Sequence, residues 1–169
     1  MELRTERLIL RPLCVQDMAT YNAYAMDAET CRYMLFLPHQ TEKESLAELQ
    51  ACEANWQKEP IAGYEMAVML EGRHIGSVSL IPADGKAVMG WILNKAYHGR
   101  GYAYEAARAL MDYGVNMLGY TCITAYCDAR NLPSQKVMNK LGMQLVREQT
   151  RTYPDERGTA AEYKYEWRR

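Results

Sequence analysis

Residues 3–13 alternate apolar and charged side chains, with Leu8 and Leu10 set against Arg7 and Arg11, and Pro12 closes the run. Alternation of period two marks a half-buried strand. From residue 16 to about 34, Met18, Tyr21, Ala25 and Ala28 recur at helical spacing. Thr41 and Glu44 form a capping box ahead of Leu46, Leu49 and Cys52, which predicts a helix to about residue 56. Residues 64–70 and 74–81 alternate around Gly72 and read as a β-hairpin, and 88–94 follows as a third strand in series. A glycine-rich turn at 99–102 then opens a helix to about residue 118. Its apolar positions Ala103, Ala107, Leu110, Gly114 and Met117 fall on one face. Residues 120–127 read as a buried strand. Residues 133–141 read as a short helix capped by Asn131 and stopped by Gly142. Residues 143–152 and 161–167 alternate again as a final hairpin. The order of elements predicts a mixed α+β layer fold with one helix crossing between strands.

Composition narrows the class. The chain has 169 residues, 49% of them apolar, which suits one domain over 1–169 with its own core. Lys plus Arg is 20 against 21 Asp plus Glu, so disorder is not expected, and a dedicated nucleic-acid binder would be more basic. Five cysteines without CxxC spacing read as reduced thiols, with no metal site, and predict a cytoplasmic location. The opening residues carry no signal-peptide pattern, and no apolar run is long enough for a membrane span. The aromatic set is lopsided, with 13 Tyr to one Phe. Tyr97, Tyr102 and Tyr104 cluster around the glycine turn.

That turn carries the chemistry. A strand ends at Asn94, His98-Gly99-Arg100-Gly101 follows, and a helix begins. The first turn of a helix has unpaired N–H groups and a partial positive charge, and glycines let an anion approach them; a pyrophosphate suits such a site. A P-loop is excluded because Gly85-Lys86 is followed by Ala87. A dinucleotide fingerprint is excluded because Tyr104 stands where its third glycine or alanine belongs, and because the preceding strands read as antiparallel.

Three motifs in series carry a resemblance: Thr5-Glu6-Arg7-Leu8-Ile9-Leu10-Arg11, the loop 98–103 followed by Glu105-Ala106, and Asn131-x-x-Ser134 followed by Lys140-Leu141-Gly142. In these the chain resembles the GNAT N-acetyltransferases, most closely the RimJ/RimL-like branch. His98 departs from the family's first loop position, where glutamine or arginine is usual. The resemblance implies the GNAT acyl-CoA N-acyltransferase fold, a twisted, mostly antiparallel sheet flanked by helices. It implies acetyl-CoA as cosubstrate, with the pyrophosphate on the amides of Gly99, Arg100, Gly101, Tyr102, Ala103 and Tyr104, and pantetheine pairing along Ile92, Leu93 and Asn94. His98 sits on this loop, with no requirement that its side chain face the ligand. The amine attacks the thioester directly, with no acyl-enzyme.

Under the same resemblance, Asn131 contacts the cofactor arm or simply caps its helix, and Ser134 hydrogen-bonds the departing sulfur or is an ordinary first-turn residue. Lys136 and Lys140 meet the 3′-phosphate or stand free in solvent. Tyr126, at the end of its strand, is a candidate hydrogen-bond donor near the thioester or a packed tyrosine. Many relatives carry a catalytic Glu on the strand before the glycine loop, and Val88 occupies that place. Glu65 is the substitute candidate, against its reading as a solvent-facing strand residue, and a water chain is an equal alternative. His39 and His74 read as surface residues. Glu42, Glu44, Glu48 and Glu53 read as a solvated helix face. The acceptor is expected to be a protein N-terminal α-amine, or else a small amine such as a polyamine, amino acid or aminoglycoside. A non-catalytic acyl-CoA-binding module and a nucleotide-binding regulator are the competing classes. Monomer and homodimer both remain open, with an exposed final strand available for pairing across a two-fold axis.

Overall fold

The computed structural model describes residues 1–169. The first apolar run divides into two strands, β1 (Leu3–Arg4) and β2 (Leu8–Pro12), which pair antiparallel with Leu3 opposite Leu10. The division falls at Thr5-Glu6-Arg7, where Thr5 N–H donates to the Leu8 carbonyl at 2.9 Å and closes a tight turn. A short 3-10 turn (Val15–Asp17) leads into α1 (Met18–Ala25). The helix expected to reach residue 34 therefore stops early. Asp27 Oδ2 accepts from Thr30 N–H at 2.8 Å and Thr30 Oγ1 at 2.6 Å, a local pattern that competes with helix propagation.

Next come α2 (Glu42–Trp56), β3 (Tyr64–Leu70), β4 (Arg73–Ala83) and β5 (Lys86–Leu93). Thr41 caps α2 by accepting from Glu44 N–H at 3.3 Å, while Glu44 reaches one residue further back than expected, to Gln40 N–H at 2.6 Å. A 3-10 turn (Lys95–Tyr97) precedes α3 (Tyr102–Asn116), β6 (Cys122–Asp128), α4 (Leu132–Lys140), β7 (Gln144–Thr152) and β8 (Thr159–Arg168). The eight strands form one sheet in the order β1-β2-β3-β4-β5-β6-β8-β7. Every neighbouring pair is antiparallel except β5 and β6, which α3 connects as a crossover.

Helices cover both faces of the sheet. On one face α3 and α4 bury Leu8, Met66, Leu80, Ile123 and Met138 among others. Leu110 of α3 is wholly buried there, a contribution of about 1.5–3 kcal/mol. Gly114 lets α3 lie close, because a Cβ there would stand 2.6 Å from Leu80 Cδ2. Met117 lies beyond the helix end and is 72% exposed, so the expected apolar face ends one turn sooner. On the other face α1 and α2 bury Tyr24, Leu49, Ala67 and Ile92. The segment between α1 and α2 rests on the β7–β8 hairpin. Arg157 Nη1 donates to the Met34 carbonyl at 2.8 Å, Arg157 Nη2 to Leu37 at 2.9 Å and Arg151 Nη1 to Tyr33 at 2.9 Å.

His74 is not a surface residue. It is buried, with Nε2 2.8 Å from the Gly76 carbonyl and Nδ1 2.8 Å from Thr20 Oγ1. A carbonyl only accepts, so Nε2 carries the proton.

Candidate active site

The parallel strands β5 and β6 pair only at Ala87↔Ile123, Val88↔Thr124 and Met89↔Ala125. Both strands run on, to Leu93 and Asp128, so beyond Met89 they splay apart. β4 stays bonded to β5 through this stretch, with Ser77 opposite Ile92 and Gly76 opposite Leu93. Asn94 N–H donates back to Ile75 at 2.9 Å. Alternation along β5 then leaves the N–H and C=O of Trp91 and Leu93 on the open edge, while Ile92 and Asn94 point their peptide groups toward β4. His98 turns back to this edge, donating from Nε2 to the Leu93 carbonyl at 2.8 Å. Gly76 allows the close approach of β4 and β5 here. A Cβ on it would stand 2.3 Å from the Ile92 carbonyl oxygen and 2.7 Å from Leu93 Cα.

The glycine loop begins where this edge ends. Gly99 and Gly101 take positive φ of 75° and 82°, the left-handed region that glycine enters without a Cβ penalty. Gly101 is the N-cap of α3. His98 N–H is bonded to Lys95 and Glu105 N–H to Gly101, but no backbone N–H from residue 99 to residue 104 meets a protein acceptor. Consecutive free amides at a helix start form a concave anion site. The side chains of Arg100 and His98 are exposed, and Tyr102, Ala103 and Tyr104 are half-buried in the first turn of α3.

A clamp from the start of the chain holds this loop. Glu105 accepts from Thr5 Oγ1 at 2.6 Å, from Arg7 N–H at 2.9 Å and from Arg7 Nε at 2.7 Å. Arg7 Nη1 donates to the Arg100 carbonyl at 3.1 Å, and its guanidinium lies 4.6 Å from the Tyr102 ring centroid. Burial alone would raise the Glu105 pKa, but the bonds from Thr5 and Arg7 outweigh it and hold the carboxyl below its ordinary value. The Thr5-x-Arg7 motif thus acts on the loop from across the fold.

On the α1/α2 face, the splayed end of β5 opens into a cleft of about 300 Å³. Glu65 pairs with Ser79, and Ser79 with Gly90, so these residues form one rung across three strands with all three lining the cleft. Glu65 was the catalytic candidate with a solvent-facing alternative, and that alternative is wrong. Its Oε2 is buried without a hydrogen-bond partner. Burial first, and the charge of Glu48 second, push its pKa up. A half-buried carboxyl with a raised pKa and one oxygen without a partner suits proton acceptance. A Cβ on Gly90 would stand 3.1 Å from Ser79 Oγ, so glycine keeps the rung open beside that hydroxyl. Val88 lies two rungs away on the same face, opposite Ile81.

Two further expectations are corrected here. Glu48 lines the cleft instead of belonging to an unengaged solvated face, and Glu53 of the same helix accepts from Val15 N–H at 2.9 Å. His39 also lines the cleft, with its side chain 13% exposed and Nε2 3.2 Å from Tyr21 Oη.

Across the splay, Tyr126 lies two residues past Thr124, as Gly90 lies two past Val88, so register puts it on the cleft face. It is 37% exposed, with Lys164 Nζ 5.9 Å from its ring centroid, and is not packed away. It does not line the cleft itself. Asn131 caps α4, its Oδ1 accepting from Ser134 N–H at 3.2 Å. Ser134 is half-buried and its hydroxyl has no protein partner. Lys136 is exposed and forms no ion pair; Lys140 is exposed with Nζ 5.9 Å from the Tyr104 ring centroid, at the first turn of α3.

The GNAT acetyltransferase domain model matches residues 7–144, from the Arg7 clamp through α4. The chain belongs to the GNAT acetyltransferase family. An uncharacterized N-acetyltransferase, YnaD, of Bacillus subtilis (strain 168) is 30% identical over 149 residues, covering 85% of this chain and 82% of YnaD. A GNAT-family acetyltransferase crystal structure from Bacillus anthracis superposes with a TM-score of 0.85 at 26% identity, covering 99% of this chain and 98% of that one. RimL, the ribosomal L7/L12 alpha-N-protein acetyltransferase in complex with coenzyme A, shares the fold with a TM-score of 0.88 at 14% identity, over 99% and 98% of the chains. This GNAT chain is therefore an N-acetyltransferase with the mostly antiparallel sheet and flanking helices expected of it.

Several site residues escape a reading of single positions. Ser77 and Ser79 alternate with buried Val78 and Leu80, a legible sign that one face of β4 is polar inside the protein. Glu48 and His39 carry no such sign, because what they line depends on the path of residues 26–40.

Proposed function

We propose that the chain, acting as one catalytic domain over residues 1–169, transfers acetyl from acetyl-CoA to a primary amine. The carrying observation is the continuity of unpaired amides at 99–104, the open edge of β5 at Trp91 and Leu93, and the cleft that ends on Glu65. The pyrophosphate sits on the amides, and the pantetheine bonds to the outward peptide groups of β5, of which the Leu93 carbonyl already accepts from His98. This arrangement brings the thioester to Gly90. That CoA is bound by RimL, on the same fold, supports the reading. Asn131, Ser134, Lys136 and Lys140 lie on the far side of the splay as the remaining contacts of the cofactor.

The amine enters from the cleft. Its nitrogen attacks the thioester carbonyl, the C–N bond forms and the C–S bond breaks. Glu65 accepts the amine proton, directly or through a water beside Ser79. The leaving sulfur takes a hydrogen bond or proton from Ser134, at the first turn of α4, or from Tyr126, on β6 beyond its last pair with β5. Most of the acceleration comes from holding amine and thioester together, with the base adding roughly 10²–10⁴-fold. A protein N-terminal α-amine and a small-molecule amine both meet this chemistry.

The test follows free thiol released from acetyl-CoA across a panel of amines and N-terminal peptides. Acceptor-dependent release that falls with Glu65→Gln is expected. Binding of acetyl-CoA with no release for any acceptor would favour a non-catalytic module, and binding of ATP or NAD without CoA would sink the reading.

A further inference from the structure

The acceptor class is written in the cleft's walls, and this step rests on the transfer reading above. Leu13, Met34, Phe36, Leu37, Trp91 and Ile92 supply its apolar surface. Its formally charged side chains are Glu48 and Glu65, and no Lys or Arg lines it. His39 is turned between Tyr21 Oη and Glu44, whose Oε2 lies 3.9 Å from Nδ1. The nearby guanidiniums of Arg151 and Arg157 are spent on backbone carbonyls behind the wall and on Glu162 and Asp155. One cation can thus be satisfied at the floor, while a carboxylate brought in with it faces two like charges and no counter-ion.

We infer that the cleft selects a primary amine carried on a compact apolar or aromatic body and rejects amines that bear a carboxylate. The volume of about 300 Å³ sits at the small end of ligand sites, enough for roughly one aromatic side chain with its amine. The apolar walls hold the body and Glu65 takes the ammonium, while Glu48 at the mouth repels a carboxylate. Repulsion of the wrong acceptor adds to the attraction for the right one in setting specificity. Phenethylamine and the N-terminal phenylalanine of a peptide share this chemistry; free phenylalanine does not. A polyamine would have to place a further ammonium among the apolar walls, which is costly.

The experiment compares phenethylamine, phenylalaninamide, phenylalanine, spermidine and a hexapeptide beginning with phenylalanine. Each is assayed by thiol release and also by calorimetric titration into the CoA-loaded protein. The expected kcat/KM for phenethylamine and phenylalaninamide exceeds that for phenylalanine by at least tenfold, with the same order in affinity. Glu48→Gln is expected to narrow the gap at least threefold. The hexapeptide arm separates a protein terminus from a small amine within this class. Phenylalanine matching its amide, or spermidine surpassing the aryl amines, in either measurement overturns the inference. Absence of thiol release with the affinity order intact would strike the transfer reading and leave the acceptor class standing.

Discussion

Arg7 and Glu105, 98 residues apart in sequence, bond through Nε and Oε2 at 2.7 Å, and the same guanidinium reaches the Arg100 carbonyl inside the glycine loop. The first strand turn is thereby tied to the first turn of α3. The tie is partly exposed, with Arg7 at 42%, so its effect on global stability is modest and its effect on the loop local. Arg7→Ala is expected to raise the KM for acetyl-CoA about three- to tenfold while leaving the acceptor KM within twofold, measured by steady-state kinetics. Because the folded-state pKa of Glu105 is lowered, its contribution is present above the ordinary carboxylate pKa and is lost as pH falls through the depressed value. Acid unfolding of Glu105→Gln is expected to lose this part of the pH dependence.

Glu65 has the opposite sign. Its folded-state pKa is raised, so the folded protein binds the proton more tightly than the unfolded chain does. Stability is therefore greatest below the ordinary carboxylate pKa, and declines as pH rises through the window up to the raised value. At neutral pH, Glu65→Gln is expected to raise Tm while lowering turnover by roughly 10²–10⁴-fold. Thermal melts and single-turnover rates on the same variant check both. In the parent, the acidic limb of kcat/KM should fall at a pH above the ordinary carboxylate range.

Gly76 lets β4 hold the end of β5 closely by having no side chain. The 2.3 Å approach to the Ile92 carbonyl is to backbone, which cannot rotate away. Gly76→Ala is expected to cost about 1–3 kcal/mol and to displace the edge that presents Leu93. Chemical denaturation and the KM for acetyl-CoA should change together. Gly101→Val, at φ 82°, is expected to abolish cofactor binding, because it both strains the backbone and blocks the amides.

Arg157 shapes the acceptor wall from the opposite end of the chain. Asp155 accepts from its Nε at 2.8 Å, the Tyr153 ring centroid lies 4.1 Å from its guanidinium, and Nη1 and Nη2 donate to the Met34 and Leu37 carbonyls. Arg157→Ala is expected to raise the acceptor KM at least fivefold with the acetyl-CoA KM within twofold, and to cost about 1–2 kcal/mol of stability. Hydrogen exchange at residues 31–37 should quicken in this variant while β4 and β5 stay protected.

What the sequence made legible was local or periodic. The β3–β4–β5 meander follows from alternation, α3 from its apolar face, and the Asn131 cap from residue type and spacing. The glycine loop was legible because free amides need only backbone and φ, not distant partners. His74 reads as a surface residue, and Glu65 keeps a solvent-facing alternative, because burial depends on what α1 and α2 place over β3 and β4. The role of Thr5 and Arg7 lay hidden for the same reason, since their partner Glu105 arrives only when α3 packs. The early end of α1 belongs to this class too, with residues 31–37 given to arginines of the last hairpin.

The most direct measurement is an amide NMR titration of the protein with CoA. Saturating, cofactor-dependent shifts are expected at the N–H groups of residues 99–104 together with Trp91 and Leu93, while Ile92 and Asn94, bonded toward β4, move far less. Binding of CoA that leaves the 99–104 amides and the open edge of β5 unperturbed would contradict the assignment of this site.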